Sequence, residues 1–166
     1  EITERDWSSD VCSSDLYGRG TTWVYGALAL HTSGQPFYQF DARLGWVQPP
    51  VLAATAETPA VAKTPVQSTI TPEHAYDLLT LRLTDPSLVY AQAQAVRLPA
   101  LDPAAPTRGL VISGRLPLWL LTAVVRAYAH LPWLALYVPA LDGAVVIRHG
   151  PDKVLGEVIA VTAVGR

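Results

Sequence analysis

Gly109-Leu-Val-Ile-Ser-Gly-Arg-Leu-Pro-Leu-Trp119 is the stretch whose reading decides the fold. Its Leu-Val-Ile centre is an apolar run of the length of a buried strand. Gly114-Arg115 then breaks the run, and Pro117 suits the first position of a helix, where its fixed φ is preorganised and its missing N–H is not needed. From there to about His130, Trp119, Ala123, Val124 and Ala127 share one helical stripe. Pro132 stops the helix and Trp133 to Tyr137 resumes as a strand. Ala140 to Gly143 turns, with Asp142-Gly143 as a hairpin dipeptide, and Ala144 to Arg148 is the next strand. Strand, helix and strand joined by so short a crossover predict right-handed, parallel pairing of 109–113 with 133–137. The strand after the hairpin turn is then antiparallel to its predecessor. The predicted class is α/β, a short mixed sheet with a crossover helix.

Moving outward, Leu78 to Leu83 alternates Leu79, Leu81 and Leu83 with Thr80 and Arg82, as a strand with one wet face does. Thr71-Pro72-Glu73 reads as a cap to a short turn, Pro86 to Gln94 as a short helix, Leu98 to Pro106 as an irregular connection and Gly156 to Val164 as a last edge strand. Between Gln48 and about Ser68 the composition shifts to alanine and threonine punctuated by Pro49, Pro50, Pro59 and Pro65, the pattern of a partly extended linker.

The stretch ahead of that linker repeats the deciding one. Gly18, Arg19, Trp23, Ala27 and Pro36 stand 96 residues before Gly114, Arg115, Trp119, Ala123 and Pro132, and Leu44 stands 97 before Leu141. Residues 21–33 read as a helix, Gln35 to Phe40 as a strand, Asp41 to Gly45 as a turn and Trp46-Val47 as the next strand. The architecture expected is therefore two fused homologous small units. They are a partial first repeat over 17–48, a linker over 49–70 and a complete second repeat over 71–166.

Residues 1–16 read unlike the rest. Asp6-Trp7-Ser8-Ser9-Asp10-Val11-Cys12-Ser13-Ser14-Asp15-Leu16 has no helical or strand period, looks like the translation of a sequencing adapter, and is set outside the fold. The sequence has a formal net charge of −2, but that leader holds five acids and one base, leaving nine acids and eleven bases. So small a positive balance argues against long nucleic acids, which need a basic stripe. Cys12 is the single cysteine, so beyond the leader no disulfide framework or cysteine-ligated metal remains, in keeping with a cytoplasmic protein. No apolar run reaches the roughly 18 residues of a membrane span.

A Gly-Arg turn ahead of a helix offers free amides, the positive end of the helix dipole and a guanidinium, which together suit a phosphate. Gly18, Arg19, Thr21, Ser113, Gly114 and Arg115 are the candidate ligand-binding residues. The plainer role of the glycines is to permit a tight turn. Two matched turns favour a ligand carrying several phosphates with two-fold symmetry. His130 and His149 stand at element ends, where a histidine serves as general acid, general base or metal ligand; the plainer role of His130 is a helix C-cap. Asp41 ends a strand of the first repeat, and its plainer role is to start a turn.

The second repeat, with Ser113-Gly-Arg-Leu-Pro-Leu-Trp119, His130-Leu-Pro-Trp133 and Gly143-Ala-Val-Val-Ile-Arg-His149, resembles the small CRISPR-associated ring nucleases of type III systems. The resemblance covers about 76–160, and 17–47 as a partial copy. It implies binding of cyclic tetra-adenylate and its manganese-dependent cleavage, which switches the antiviral response off. A ribose 2′-hydroxyl would attack the adjacent phosphate. On this resemblance Ser113, Gly114 and Arg115, with Gly18 and Arg19, would cradle the ligand. His130 and His149 would match the family's metal or catalytic histidines. The family's aspartate before proline is Val138 here, while the first copy keeps Asp41 followed by Ala42. The set is thus split: one composite site catalyses, or the chain only binds, as a sensor or sink. A structural accessory role is the third reading. Self-assembly into a homo-oligomer is also implied.

Overall fold

The computed structural model describes residues 14–16, 20–55, 64–86, 88–101 and 108–161. In chain order the elements are β1 (Ser14–Leu16), α1 (Thr22–His31), β2 (Phe37–Asp41), β3 (Gly45–Val47), β4 (Ala54–Thr55), β5 (Val66–Pro72), β6 (Tyr76–Leu83), a 3-10 turn (Tyr90–Ala95), β7 (Leu98–Pro99), β8 (Gly109–Gly114), α2 (Leu118–Ala127), β9 (Leu134–Val138), β10 (Gly143–Arg148) and β11 (Val158–Ala160). The α/β class read from the sequence is the class observed.

The main sheet has six strands in the order β11-β10-β9-β8-β6-β5. Its centre is the parallel pair β8 and β9, flanked by parallel β6 on one side and antiparallel β10 on the other, as the short crossover through α2 requires. Leu110 and Ile112 of β8 face α2 in the larger core, and Val111 lies in a second cluster on the opposite face with Trp133 and Ala135. Both faces of β8 are buried, which is why its sequence is apolar throughout and does not alternate.

A second sheet, in the order β1-β2-β3, has the connectivity of the centre of the first. β1 pairs with β2 in parallel, Ser14 opposite Phe37, and β8 pairs with β9 in parallel, Leu110 opposite Leu134. The hairpins match too: Asp41 lies opposite Gly45 and Val138 opposite Gly143. Helix α1 begins at Thr22 and α2 at Leu118, 96 residues later, and both run for 10 residues.

The helices pack crosswise between the segments. α1 lies against α2 and against β9 and β10, while α2 reaches β2. Buried Gln39 of β2 donates its amide to the Thr122 hydroxyl of α2 at 2.6 Å. The counterpart contact is apolar: a Cβ built on Gly26 of α1 would stand 2.7 Å from Leu136 Cδ1 of β9. Glycine lets α1 sit that close to the sheet. Seven consecutive residues of α2, Trp119 to Val125, are buried, because a helix covered on more than one side has no wet face to keep polar.

Several boundaries differ from the sequence reading. The helix expected to reach His130 ends at Ala127, and Tyr128 caps it. Tyr128 is fully buried and donates its hydroxyl to the Pro99 carbonyl at 2.7 Å, while the Leu131 amide turns back to the Tyr128 carbonyl. The short helix expected over 86–94 is the 3-10 turn Tyr90–Ala95. The linker expected over 49–70 contains β4 and most of β5. The alternation in Val66-Gln-Ser-Thr-Ile70, which pairs with β6, outweighs the loop-like composition, and Pro72 is tolerated because it ends an edge strand. Strand β1 uses the last three residues of the leader that had been set outside the fold. Ladder pairing is made by backbone groups and asks little of side-chain pattern. Among the described residues the final strand spans Val158–Ala160, and 162–164 lie outside them.

Arg126 ties the far ends of the two helices. From the last turn of α2 it donates to the Ala29 carbonyl at 3.0 Å and to the Thr32 carbonyl at 3.0 Å, and its guanidinium lies 5.0 Å from the Phe37 ring centre. These carbonyls are among the orphan acceptors at the C-terminus of α1. Arg126→Ala is therefore expected to destabilise the protein by about 1.5–3 kcal/mol, the range for hydrogen bonds to a charged group, read as a lowered urea midpoint at unchanged m-value.

Burial pushes the Tyr128 hydroxyl well above its ordinary pKa. A raised folded-state value means that this contribution is complete below the unfolded tyrosine value of about 10 and is lost as pH rises beyond it. Stability is expected to fall by about 1.4 kcal/mol per pH unit above pH 10 from this group. The difference between wild-type and Tyr128→Phe denaturation curves over that range checks it: equal slopes would place no ionisation penalty at Tyr128.

Candidate functional site

The two helices point their N-termini into one pocket of about 490 Å³. Thr22, the first residue of α1, and Leu116 and Pro117, ahead of α2, all line it. The helices run side by side in the same direction, because Arg126 joins their C-terminal ends. The first segment also supplies Arg43, and the second supplies Arg115, Gly114, Tyr137 and Pro139. The floor is apolar, made by Leu83, Leu88, Ile112, Leu121 and Leu136. Among the described residues two arginines and no aspartate or glutamate stand in the lining. With two helix N-termini beside them, the local field favours an anion.

Arg115 is exposed and makes no hydrogen bond or ion pair among the described residues. Arg43 is exposed and lies 3.7 Å from Asp41 Oδ1. That same oxygen accepts the Arg43 amide at 2.8 Å and the Leu44 amide at 3.3 Å, so Asp41 starts the turn and also holds Arg43 at the pocket side. Gly114 has a packing reason: a Cβ there would stand 2.6 Å from the Leu81 carbonyl oxygen of β6. Tyr137 donates its hydroxyl to Asp142 at 3.3 Å, which positions its ring.

The remaining expected site residues are not gathered in the pocket. Gly18 and Arg19 lie outside the described residues. Thr21 is the N-cap of α1, is exposed and makes no side-chain cap bond, whereas its neighbour Thr22 lines the pocket. Ser113 is buried at the end of β8, and strand alternation turns it to the sheet face of Val111, away from Ile112 and Gly114.

His130 and His149 are exposed at the other end of the sheet. His130 precedes β9 and His149 follows β10, whereas Gly114, Arg115, Tyr137 and Pro139 stand where β8 and β9 finish. About 13 Å of strand separates the ends, at roughly 3.3 Å per residue. The two histidines do share an end: Gly150, next to His149, abuts Pro132 and Trp133. The His130 ring lies 6.4 Å from that of Tyr128.

The manganese implied by the resemblance would need hard oxygen donors beside any imidazole. Among the described residues no three of His, Cys, Asp and Glu gather into a metal-ligating group. No helix among the described residues is long and apolar enough to cross a membrane.

Arg43 and Tyr137 escaped the sequence reading. Arg43 stands in a turn, where a solvated arginine is ordinary, and the repeat does not flag it, because Ala140 occupies the position 97 residues on. Its spacing of two from Asp41 was the available signal.

Fold and site together define an α/β protein with a cationic, apolar-floored pocket shared by two βαββ segments. Residues 81–160 match the model of a family described as CRISPR-associated protein (Cas_csx3). The match covers β9 and β10 and the Gly114-Arg115 turn, and it supports a CRISPR-associated, accessory role.

Gly114→Ala is expected to cost about 1–3 kcal/mol, because the new methyl meets backbone and not a movable side-chain end. Chemical denaturation checks it; an unchanged midpoint would show that β6 and β8 can separate at no cost.

Proposed function

We propose that the protein binds cyclic tetra-adenylate, or a related cyclic oligoadenylate, in the pocket between its two segments, and so draws down the second messenger of a type III CRISPR response. One observation carries this reading: Arg43 from the first segment and Arg115 from the second line a single pocket with no acidic side chain among its described residues, in a chain whose residues 81–160 match a CRISPR-associated family. Paired guanidiniums meet phosphate oxygens with charge-assisted hydrogen bonds, and two of them from similar segments suit a ligand with repeated phosphates. The tandem arrangement presents both halves of the site in one chain. Binding without cleavage is the favoured form, because the described lining contains no histidine or carboxylate to act as general base and His130 and His149 stand at the far end of β9 and β10.

Ring cleavage is the second reading, supported by Asp41 beside Arg43. A ribose 2′-hydroxyl would attack the adjacent phosphorus and give its proton to the Asp41 carboxylate. The 5′-oxygen would leave and take a proton from water. Arg43 and Arg115 would stabilise the charge gathering on the phosphoryl oxygens. The products would be a 2′,3′-cyclic phosphate and a 5′-hydroxyl.

The test is incubation with radiolabelled cyclic tetra-adenylate and manganese, beside a gel shift on the same sample. A shift without products is expected, weakened at least tenfold by either Arg43→Ala or Arg115→Ala, about 1.4 kcal/mol each. Linear products abolished by Asp41→Ala would establish the second reading. A folded protein that gives no shift and no products overturns both. The size of the shifted species reads the proposed self-assembly.

A further inference from the structure

The two crosswise contacts between the segments fall on equivalent positions and have opposite chemistry. Helix α1 starts at Thr22 and α2 at Leu118, so Gly26 corresponds to Thr122. Leu16 of β1 lies opposite Gln39, and its counterpart Ile112 of β8 lies opposite Leu136, so Gln39 corresponds to Leu136. In one contact the glycine of α1 meets the leucine of β9. In the other the threonine of α2 meets the glutamine of β2. Each helix residue is therefore matched to the strand residue of the other segment and mismatched to the strand residue of its own.

The mismatches are costly in different ways. A Cβ on Gly26 would stand 2.7 Å from Leu136 Cδ1 and 3.2 Å from Ile147 Cδ1, and both side chains are buried, at 1% and 3% exposure. A threonine in that place has no room, although its hydroxyl could keep a helix carbonyl, as Thr122 keeps that of Trp119 at 3.1 Å. Pairing two second segments would set Thr122 against Leu136 twice. Pairing two first segments would set Gln39 against Gly26 twice. Gln39 is 1% exposed and its Oε1 already has no partner among the described residues, so losing Thr122 would leave the whole amide buried and unpaired.

We infer that Gly26–Leu136 and Gln39–Thr122 are a selectivity device: they fit the α2–β9 face to an α1–β2 segment and make it refuse the α2–β9 face of a second copy. The consequence reaches the pocket. Arg43 comes only with the first segment, because Ala140 stands at its place in the second. Two second segments would bring Arg115 twice and Arg43 not at all. Refusing that pairing keeps one arginine from each segment in the lining, whatever ligand the pocket takes.

The experiment is thermal melting of the full chain, in which single variants recreate the contacts of like pairing. Gln39→Leu sets a leucine against Thr122, and Thr122→Gly sets Gln39 against a glycine. Each is expected to lower Tm by roughly 4 °C or more. The double variant Gln39→Leu/Thr122→Gly rebuilds a glycine–leucine match and is expected to lose no more than half of the summed shifts. Gln39→Leu/Gly26→Ala, with its changes in different contacts, is expected to lose the full sum. If Gln39→Leu alone gives no folded protein, return of a cooperative melt in Gln39→Leu/Thr122→Gly reads the same coupling. Additive losses in that double variant, its failure to fold, or single variants that melt like the wild type overturn the inference.

Discussion

Everything in this molecule depends on the crosswise packing of two parallel helices, each laid against strands of the other segment. α1 covers β9 and β10, and α2 reaches back to β2. Gly26 allows the first contact to close and the Gln39–Thr122 hydrogen bond fixes the second. Arg126 then ties the C-terminal ends together through the last carbonyls of α1. With that end closed, the N-termini are left side by side at the other, and the pocket is the space between them. Its cationic character follows from the same constraint, because parallel helices add their N-terminal dipoles where antiparallel ones would cancel.

Strand polarity divides the chemistry. A parallel β8–β9 pair with a hairpin into β10 sends the Gly114-Arg115 turn and Tyr137 to one end of the sheet and His130 and His149 to the other. No rotamer change crosses about 13 Å of strand. The pocket end carries Arg43 and Arg115 beside apolar side chains. The histidine end carries two exposed histidines; Gly150, next to His149, abuts Trp133, whose ring centre lies 5.9 Å from Lys153 Nζ. The match to a CRISPR-associated family over 81–160 spans both ends.

The stretch from Gly109 to Arg148 was legible at nearly the resolution of single elements. Its strand, helix, strand and hairpin strand, and the parallel-then-antiparallel pairing, were all read from apolar runs, Pro117, Pro132 and Asp142-Gly143. Failures came where composition and pattern disagreed. Val66 to Pro72 looked like linker because of its neighbours' prolines, yet it alternates and completes the sheet edge. The helix end was misplaced by three residues because Tyr128 leaves the helix to bond Pro99, a partner 29 residues away.

The candidate site divides the same way. By itself the sequence determined the break at Gly114-Arg115, the two helices and Asp41 as a turn residue, because these are local: a glycine, a proline or a carboxylate acts on backbone within a few residues. Only the tertiary structure decided that Arg43 and Arg115 share a pocket, that Ser113 faces the other side of the sheet, and that both histidines lie away from it. Those facts depend on strand direction and helix packing over separations of tens of residues. A one-dimensional pattern specifies which face a residue occupies, but not which distant face it meets.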